Sequence, residues 1–144
     1  MERNEFLKSL GISLALACTG TCFQACSKGG KEEATPDTNN SNGNTATIDI
    51  TTLTAIGSKS KVNGVLFIRI ATSNTISSFL ATEPGCPHEG LEQLSWVQSE
   101  NRIRCSAHGS EFGSNGSLLT GPATRALKTY TVTLTGTTLS ATKS

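Results

Sequence analysis

Asn63-Gly64-Val65-Leu66-Phe67-Ile68-Arg69-Ile70 is the strongest strand signal in the chain. Val65 to Ile70 reads as a strand, and Asn63-Gly64 before it is a two-residue hairpin signal. Downstream, Ile76 to Ala81 follows Ser73-Asn74 and is expected to be a partner strand. Trp96-Val97 and Arg102-Ile103-Arg104 flank Ser99-Glu100-Asn101, the pattern of a second hairpin. Tyr130, Val132 and Leu134 alternate with Thr129, Thr131, Thr133 and Thr135, which predicts one buried and one solvated face. Gly136-Thr137 then turns the chain into Leu139. No stretch of helical period long enough to matter follows residue 46. The fold class is therefore all-β, built from short antiparallel strands.

Composition agrees with this. The 144 residues suit one modest domain. Hydrophobic residues and glycine together make roughly 45% of the chain, and charged residues only 16% against about 25% in ordinary domains. Thr and Ser fill the difference, with 21 and 17 residues, and they favour strands and turns rather than helices. A helical bundle would need more Ala, Leu, Glu and Lys. With 12 basic and 11 acidic residues the net charge is +1, so binding to nucleic acid by phosphate neutralisation is not expected.

The first 46 residues have a different character. Residues 1–25 read as an export signal, with Arg3 and Lys8 in a basic start diluted by Glu2 and Glu5, and an apolar run from Ser9 to Phe23. That run is shorter than the about 20 residues a membrane-crossing helix needs. A small residue ahead of a cysteine resembles a bacterial lipoprotein signal, and two cysteines qualify. Cys26, after Gln24-Ala25, is preferred because the polar stretch Ser27-Lys28-Gly29-Gly30-Lys31-Glu32-Glu33 follows it. Cys18, after Leu16-Ala17, is the alternative, and a secretory signal without lipid is another. Arg3-Asn4-Glu5-Phe6-Leu7-Lys8 also resembles a twin-arginine signal that lacks one arginine. Residues 26–46 hold almost nothing apolar and are expected to form a disordered tether. The folded domain is expected over 47–144.

Within that domain the chemistry is concentrated. Every Cys and His after residue 26 lies in the 23-residue window from Cys86 to His108. Cys86-Pro87-His88 and Cys105-Ser106-Ala107-His108 each supply one thiolate and one imidazole, with 16 residues between His88 and Cys105. Two sulfur and two nitrogen donors suit zinc or an iron–sulfur centre. Trp96 and Phe112 are expected in the core, and Glu89, Lys59 and Lys61 on the solvated surface.

The paired motif resembles the Rieske iron–sulfur protein family. Cys86-Pro87-His88-Glu89-Gly90 matches its first loop and Cys105-Ser106-Ala107-His108-Gly109-Ser110 its second, while Gly121-Pro122-Ala123 resembles its covering proline loop. The likeness runs over about residues 48 to 140. It implies a small domain of stacked antiparallel sheets with two cluster-binding loops. It further implies a [2Fe–2S] cluster with Cys86 and Cys105 on one iron and His88 and His108, facing solvent, on the other. Gly90 and Gly109 would let backbone approach and aim N–H groups at sulfur, Ser110 would donate to a bridging sulfide, and Pro122 would cover the site. The bracing disulfide of respiratory members is missing, because Leu91 and Ala107 stand at its positions, and Phe112 stands where those members often have tyrosine. The implied role is that of an exported one-electron carrier with a redox protein as partner, a lipid anchor to the membrane and no organic substrate pocket. The alternatives are a subunit of a quinol- or oxyanion-oxidising complex, and a structural zinc module. A mononuclear-iron oxygenase would need two further histidines, and the chain has two in all.

Overall fold

The computed structural model describes residues 43–144. The export signal, both candidate lipidation cysteines and nearly all of the expected tether lie outside the described residues. Ten strands follow in chain order: β1 (Thr45–Asp49), β2 (Lys59–Val62), β3 (Val65–Arg69), β4 (Phe79–Thr82), β5 (Leu94–Val97), β6 (Arg102–Cys105), β7 (Glu111–Phe112), β8 (Leu118–Thr120), β9 (Thr131–Thr135) and β10 (Thr138–Thr142). They form three antiparallel sheets, ordered β1-β10-β9, β2-β3-β4 and β5-β6-β7-β8. Helical structure among the described residues is limited to 3-10 turns at Ile50–Thr52 and Ile76–Ser78. The domain is all-β, as its sequence pattern implies.

β3 explains the layering. All five of its residues are buried. Because successive side chains point to opposite faces, Val65 and Phe67 enter a core with Ile48, Leu53, Phe79 and Leu139. Leu66 and Ile68 enter a second core with Leu94, Trp96, Ile103 and Phe112. The β2-β3-β4 sheet is thus the middle layer. One face packs on the β1-β10-β9 sheet as a base, and the other packs on the β5–β8 sheet that carries the two loops. Trp96 and Phe112 belong to the second core, as expected.

The hairpin turns fall where the sequence puts them. Asn63 and Gly64 both take positive φ, 50° and 75°, between β2 and β3, as a two-residue primed turn requires. Gly136 (φ 60°) turns β9 into β10, and Asn101 (φ 52°) closes the turn from β5 to β6. Two expectations need correction. β1 begins at Thr45, and Ala46 is buried against Ala141, so the first strand takes two residues assigned to the tether. The partner of β3 begins only at Phe79; Ile76 sits exposed in a 3-10 turn. The cause is Arg69, buried at the end of β3. Its guanidinium donates to the carbonyls of Leu53, Ala71, Thr72 and Ser73 and to Asn74 Oδ1. It also lies 5.2 Å from the Phe79 ring centroid. A buried guanidinium is tolerated when its donors are met, and meeting them wraps residues 71–74 around it before a strand can start.

Candidate metal centre

Two loops leave the β5–β8 sheet at one end. Loop 1 runs from β4 to β5 and carries Cys86 and His88; loop 2 runs from β6 to β7 and carries His108, with Cys105 closing β6. Leu94 and Cys105 face each other across the hairpin, so its register sets the two loops side by side.

The loops are closed by the same pair of bonds. The Gly90 N–H donates to the Cys86 carbonyl (2.7 Å) and the Cys86 N–H to the Leu91 carbonyl (2.9 Å). In loop 2 the Gly109 N–H donates to the Cys105 carbonyl (2.9 Å) and the Cys105 N–H to the Ser110 carbonyl (2.8 Å). Gly90 and Gly109 hold φ of 73° and 78°, a conformation that costs an L side chain about 1–2 kcal/mol. A Cβ on either would meet nothing within 4 Å. The role implied for these glycines therefore needs correction: their N–H groups close the loops onto cysteine carbonyls rather than pointing at sulfur, and freedom of φ rather than close approach selects glycine. Close approach occurs elsewhere. A Cβ on Gly121 would stand 2.4 Å from Ser110 Cα, and one on Gly85 would stand 2.7 Å from the Gly90 oxygen.

The four candidate ligands divide by exposure. Cys86 and Cys105 are free thiols, 2% and 1% exposed. His88 is half-buried and the His108 side chain 41% exposed. Their Nδ1 atoms face each other at 3.2 Å, with the rings nearly perpendicular at 85°. Two nitrogens on one tetrahedral metal at about 2.0–2.1 Å would stand roughly 3.3–3.4 Å apart, so this spacing fits a shared ion. Among the described residues, His88, Glu89 and His108 gather their ligand atoms within 4.8 Å of one another, and the thiols are not part of that group. Donors divided in this way, thiols buried and imidazoles toward the surface, suit a centre that is sulfur-bound on the inside and nitrogen-bound on the outside. Glu89 Oε2 lies 3.6 Å from His108 Nδ1; this exposed carboxylate belongs to the imidazole group as well as to the solvated surface.

The electrostatics around sulfur point the same way. Burial pushes the Cys86 thiol up, and the adjoining Cys105 thiol adds to this. The His88 N–H and the Ser110 hydroxyl pull in the opposite direction by hydrogen-bonding to the sulfur. A buried thiol that resists ionisation, Cys86, set beside the buried sulfur of Cys105, is completed by cationic metal, which deprotonates a coordinating thiol outright. Ser110 is itself fully buried and accepts from the Ala123 N–H at 3.2 Å, which leaves its proton for sulfur. Pro122 is exposed on the segment that crosses Ser110. Leu91 is exposed and Ala107 half-buried, and the described residues contain no disulfide. Phe112 is wholly buried.

Lys59 and Lys61 lie on the exposed surface, as expected; there Lys59 Nζ donates to the Leu94 carbonyl and Lys61 pairs with Glu92 at 2.6 Å, both at the exit of loop 1. One pair at the site was missed in the sequence. Glu83 and Arg125 form an ion pair at the entry. Glu83-Pro84 ahead of Cys86, and a lone arginine three residues past Pro122, were the available signals.

A family model described as Rieske [2Fe–2S] domain matches residues 49–131. The cytochrome b6-f complex iron-sulfur subunit of Synechococcus sp. (strain JA-3-3Ab) is 37% identical over 51 residues, which are 35% of this chain and 29% of that protein. The chain thus spans under a third of the length of the curated relatives it matches. Among solved structures, the plasma membrane Rieske protein PetC3 of Synechocystis PCC 6803 superposes with a TM-score of 0.51 at 28% identity, covering 65% of this chain and 93% of that one. The ferredoxin of carbazole 1,9a-dioxygenase from Nocardioides aromaticivorans IC177 superposes with a TM-score of 0.54, covering 69% and 96%, and at 16% identity shares the fold alone.

Proposed function

The chain belongs to the Rieske [2Fe–2S] domain family, and from this premise we propose that it is an exported one-electron carrier whose cluster is held by Cys86, His88, Cys105 and His108. When bound, the cluster supplies reversible one-electron chemistry. The observation that carries the reading is the division of the ligands: thiols sealed in the second core, imidazoles at the surface. Cys86 and Cys105 anchor the centre to the rigid sheet. His88 and His108 present it to a redox protein by a short path. The Ser110 hydroxyl and the His88 N–H, which act on Cys86 against its burial, would favour the reduced state of a bound cluster by donating toward sulfur. The protein's part is position, exposure and potential.

Export and lipid attachment at Cys26 complete the proposal, with residues 27–44 as a leash of a few tens of ångströms. Among the described residues no helix is long and apolar enough to cross a membrane. Likeness to a cytochrome b6-f subunit favours a second reading, a subunit of a quinol-oxidising complex. The two part on native size after mild detergent extraction, since a carrier runs alone.

Visible and EPR spectra with iron and sulfide analysis of the purified protein test the core of the proposal. Equal iron and sulfide with the spectrum of a histidine-ligated cluster is expected, lost on His88→Ala or His108→Ala. One zinc per chain with neither iron nor sulfide overturns it. Mass spectrometry of the membrane-bound form tests the anchor: lipid on Cys26 supports it, and lipid on Cys18, or an unlipidated mature chain, overturns that part.

A further inference from the structure

Loop 1 is entered through Glu83, a carboxylate with both oxygens engaged. Its Oε1 accepts from Arg125 Nη1 at 2.6 Å and from the Lys128 N–H at 2.8 Å, and its Oε2 accepts from Arg125 Nη2 at 3.0 Å. The Glu83 N–H donates in turn to the Lys128 carbonyl at 2.9 Å. Two parallel bonds from a planar guanidinium fix direction as well as distance. The Glu83 side chain is only 18% exposed, while that of Arg125 is 55% exposed, so what sets this pair apart is its paired geometry and the largely buried carboxylate. At the other root of the loop, Lys61–Glu92 makes one contact with both partners about half exposed, the kind of pair that contributes little.

Arg125 belongs to the segment from Gly121 to Leu127 that lies over loop 2. One hold on that segment is Ser110, which accepts from the Ala123 N–H and packs under Gly121. The second is Glu83. Through these two side chains the covering segment is tied to loop 2 at one point and to the root of loop 1 at another. Besides it, the two loops are joined at the ligands and at their roots near β5 and β6, where the Ser106 N–H and hydroxyl donate to the Gln93 carbonyl and Oε1 at 3.1 Å. Leu91 and Ala107 offer no covalent bridge, so the covering segment is the tie at the opposite root. Arg125 is held at Glu83, three residues ahead of Cys86 in the chain.

We propose that Glu83 is a positioning residue: by gripping Arg125 and the Lys128 amide it clasps the covering segment 121–127 to the entry of loop 1 and holds it closed over the four-ligand site. The proposal rests on the reading of that site as a [2Fe–2S] centre. It has two consequences. The clasp limits water and chelator access to the buried thiols. It also sets a neutral pair beside the centre. Loss of the carboxylate alone leaves a cation there and favours the reduced state, whereas loss of the guanidinium alone leaves an anion and disfavours it.

The test uses the full chain, loaded and metal-free, as wild type, Glu83→Gln, Arg125→Gln, the charge-exchanged pair Glu83→Arg with Arg125→Glu, and Lys61→Gln for the other root. Amide exchange at Ala123 and Leu127 reads closure without the cluster. Bleaching of the visible absorption by a chelator, and the reduction potential, read it with the cluster. Glu83→Gln and Arg125→Gln are expected to speed exchange and bleaching about tenfold, the loss of one charge-assisted contact. Their potentials should move in opposite directions, up for Glu83→Gln and down for Arg125→Gln. The exchanged pair should recover much of the bleaching rate, and Lys61→Gln should stay within about twofold of wild type. Wild-type exchange and bleaching in both single variants would overturn the proposal, and so would potentials that move together, which would mark a general loosening. A wild-type chain without iron or sulfide would sink the cluster reading instead, while exchange in the metal-free chain would still decide the clasp.

Discussion

The two cores share β3 but end differently. The base core is closed on hydrocarbon: Ile48, Leu53, Val65, Phe67, Phe79 and Leu139 meet across two sheets. The loop core begins in the same way, with Leu66, Ile68, Leu94, Trp96 and Ile103, and then ends on two thiols, Cys86 and Cys105. Apolar burial holds the first without further help. The second leaves a buried thiol, Cys86, that burial pushes up, beneath loops closed by a handful of hydrogen bonds. The difference teaches that the base is a scaffold independent of metal, while the outer layer of the loop region reaches its full stability only when the ligands are engaged.

The hardest blow to that comparison is struck at β3. Phe67→Ala removes a wholly buried ring, at a cost of about 3–5 kcal/mol, a large share of the about 5–15 kcal/mol that holds a domain of this size. Because the same strand floors both cores, Trp96 fluorescence in the loop region and amide exchange at Leu139 in the base should report one shared loss in denaturant titrations. A loop region that keeps its Trp96 signal after the base has melted would show that the cores are independent.

Metal removal should act in the opposite, local sense. In chelator-treated protein, or in Cys105→Ala, the amides of Cys86, Gly90, Cys105 and Gly109 should exchange at least about tenfold faster, as sites of local opening do. Leu139 and Ala141 in the base should keep their rates. Equal loosening of both regions would dissolve the distinction drawn between them.

How much of this was legible in the chain depends on the distance between partners. The turns at Asn63-Gly64 and Gly136-Thr137 were legible because positive φ is a property of the residues themselves. The ligand candidates were legible because thiols and imidazoles crowd into one short window. Arg69 was not: read as one residue of a strand, it is buried only because Leu53 and residues 71–74 supply acceptors. Glu83 and Arg125, 42 positions apart, were illegible for the same reason. The glycines mislead in a different way. Sequence marks Gly90 and Gly109 as positions of close approach, yet crowding is found at Gly121 and Gly85, because crowding depends on which segments cross.

That last contrast can be sharpened by substitution. Gly121→Ala places a methyl group against the Ser110 backbone at φ 110°, and overpacking of this sort costs about 1–3 kcal/mol on top of the conformational strain. Gly90→Ala meets no neighbour and should lose only the about 1–2 kcal/mol of a positive φ. Thermal unfolding should rank Gly121→Ala below Gly90→Ala, with faster exchange at Ala123 in the former alone. The reverse order would mean that the covering segment yields easily and is not pinned on Ser110.

The smallest effect is expected from acid. In the loop region Glu83 is pushed up by burial, but the bonds and charges of Arg125 and Lys128 outweigh this and hold it below the ordinary carboxylate range. Glu111 is held low by Arg104 and then Arg102. In the base Asp49 is held low by the Thr51 N–H and by the Thr51 and Thr137 hydroxyls. A carboxylate lowered on folding contributes stability that is whole above its unfolded value, near pH 4–4.5, and is lost as the pH falls through the folded value. Stability of the metal-free chain, followed by Trp96 fluorescence in denaturant, should therefore be level above about pH 5 and decline below it. Glu83→Gln has nothing to protonate at that position: it should start less stable at pH 6, fall less steeply, and approach wild type in acid. A gap between variant and wild type that stays constant from pH 6 down to pH 3 would show that the Glu83 charge contributes nothing, and would leave the loop region held by its apolar core and its backbone bonds alone.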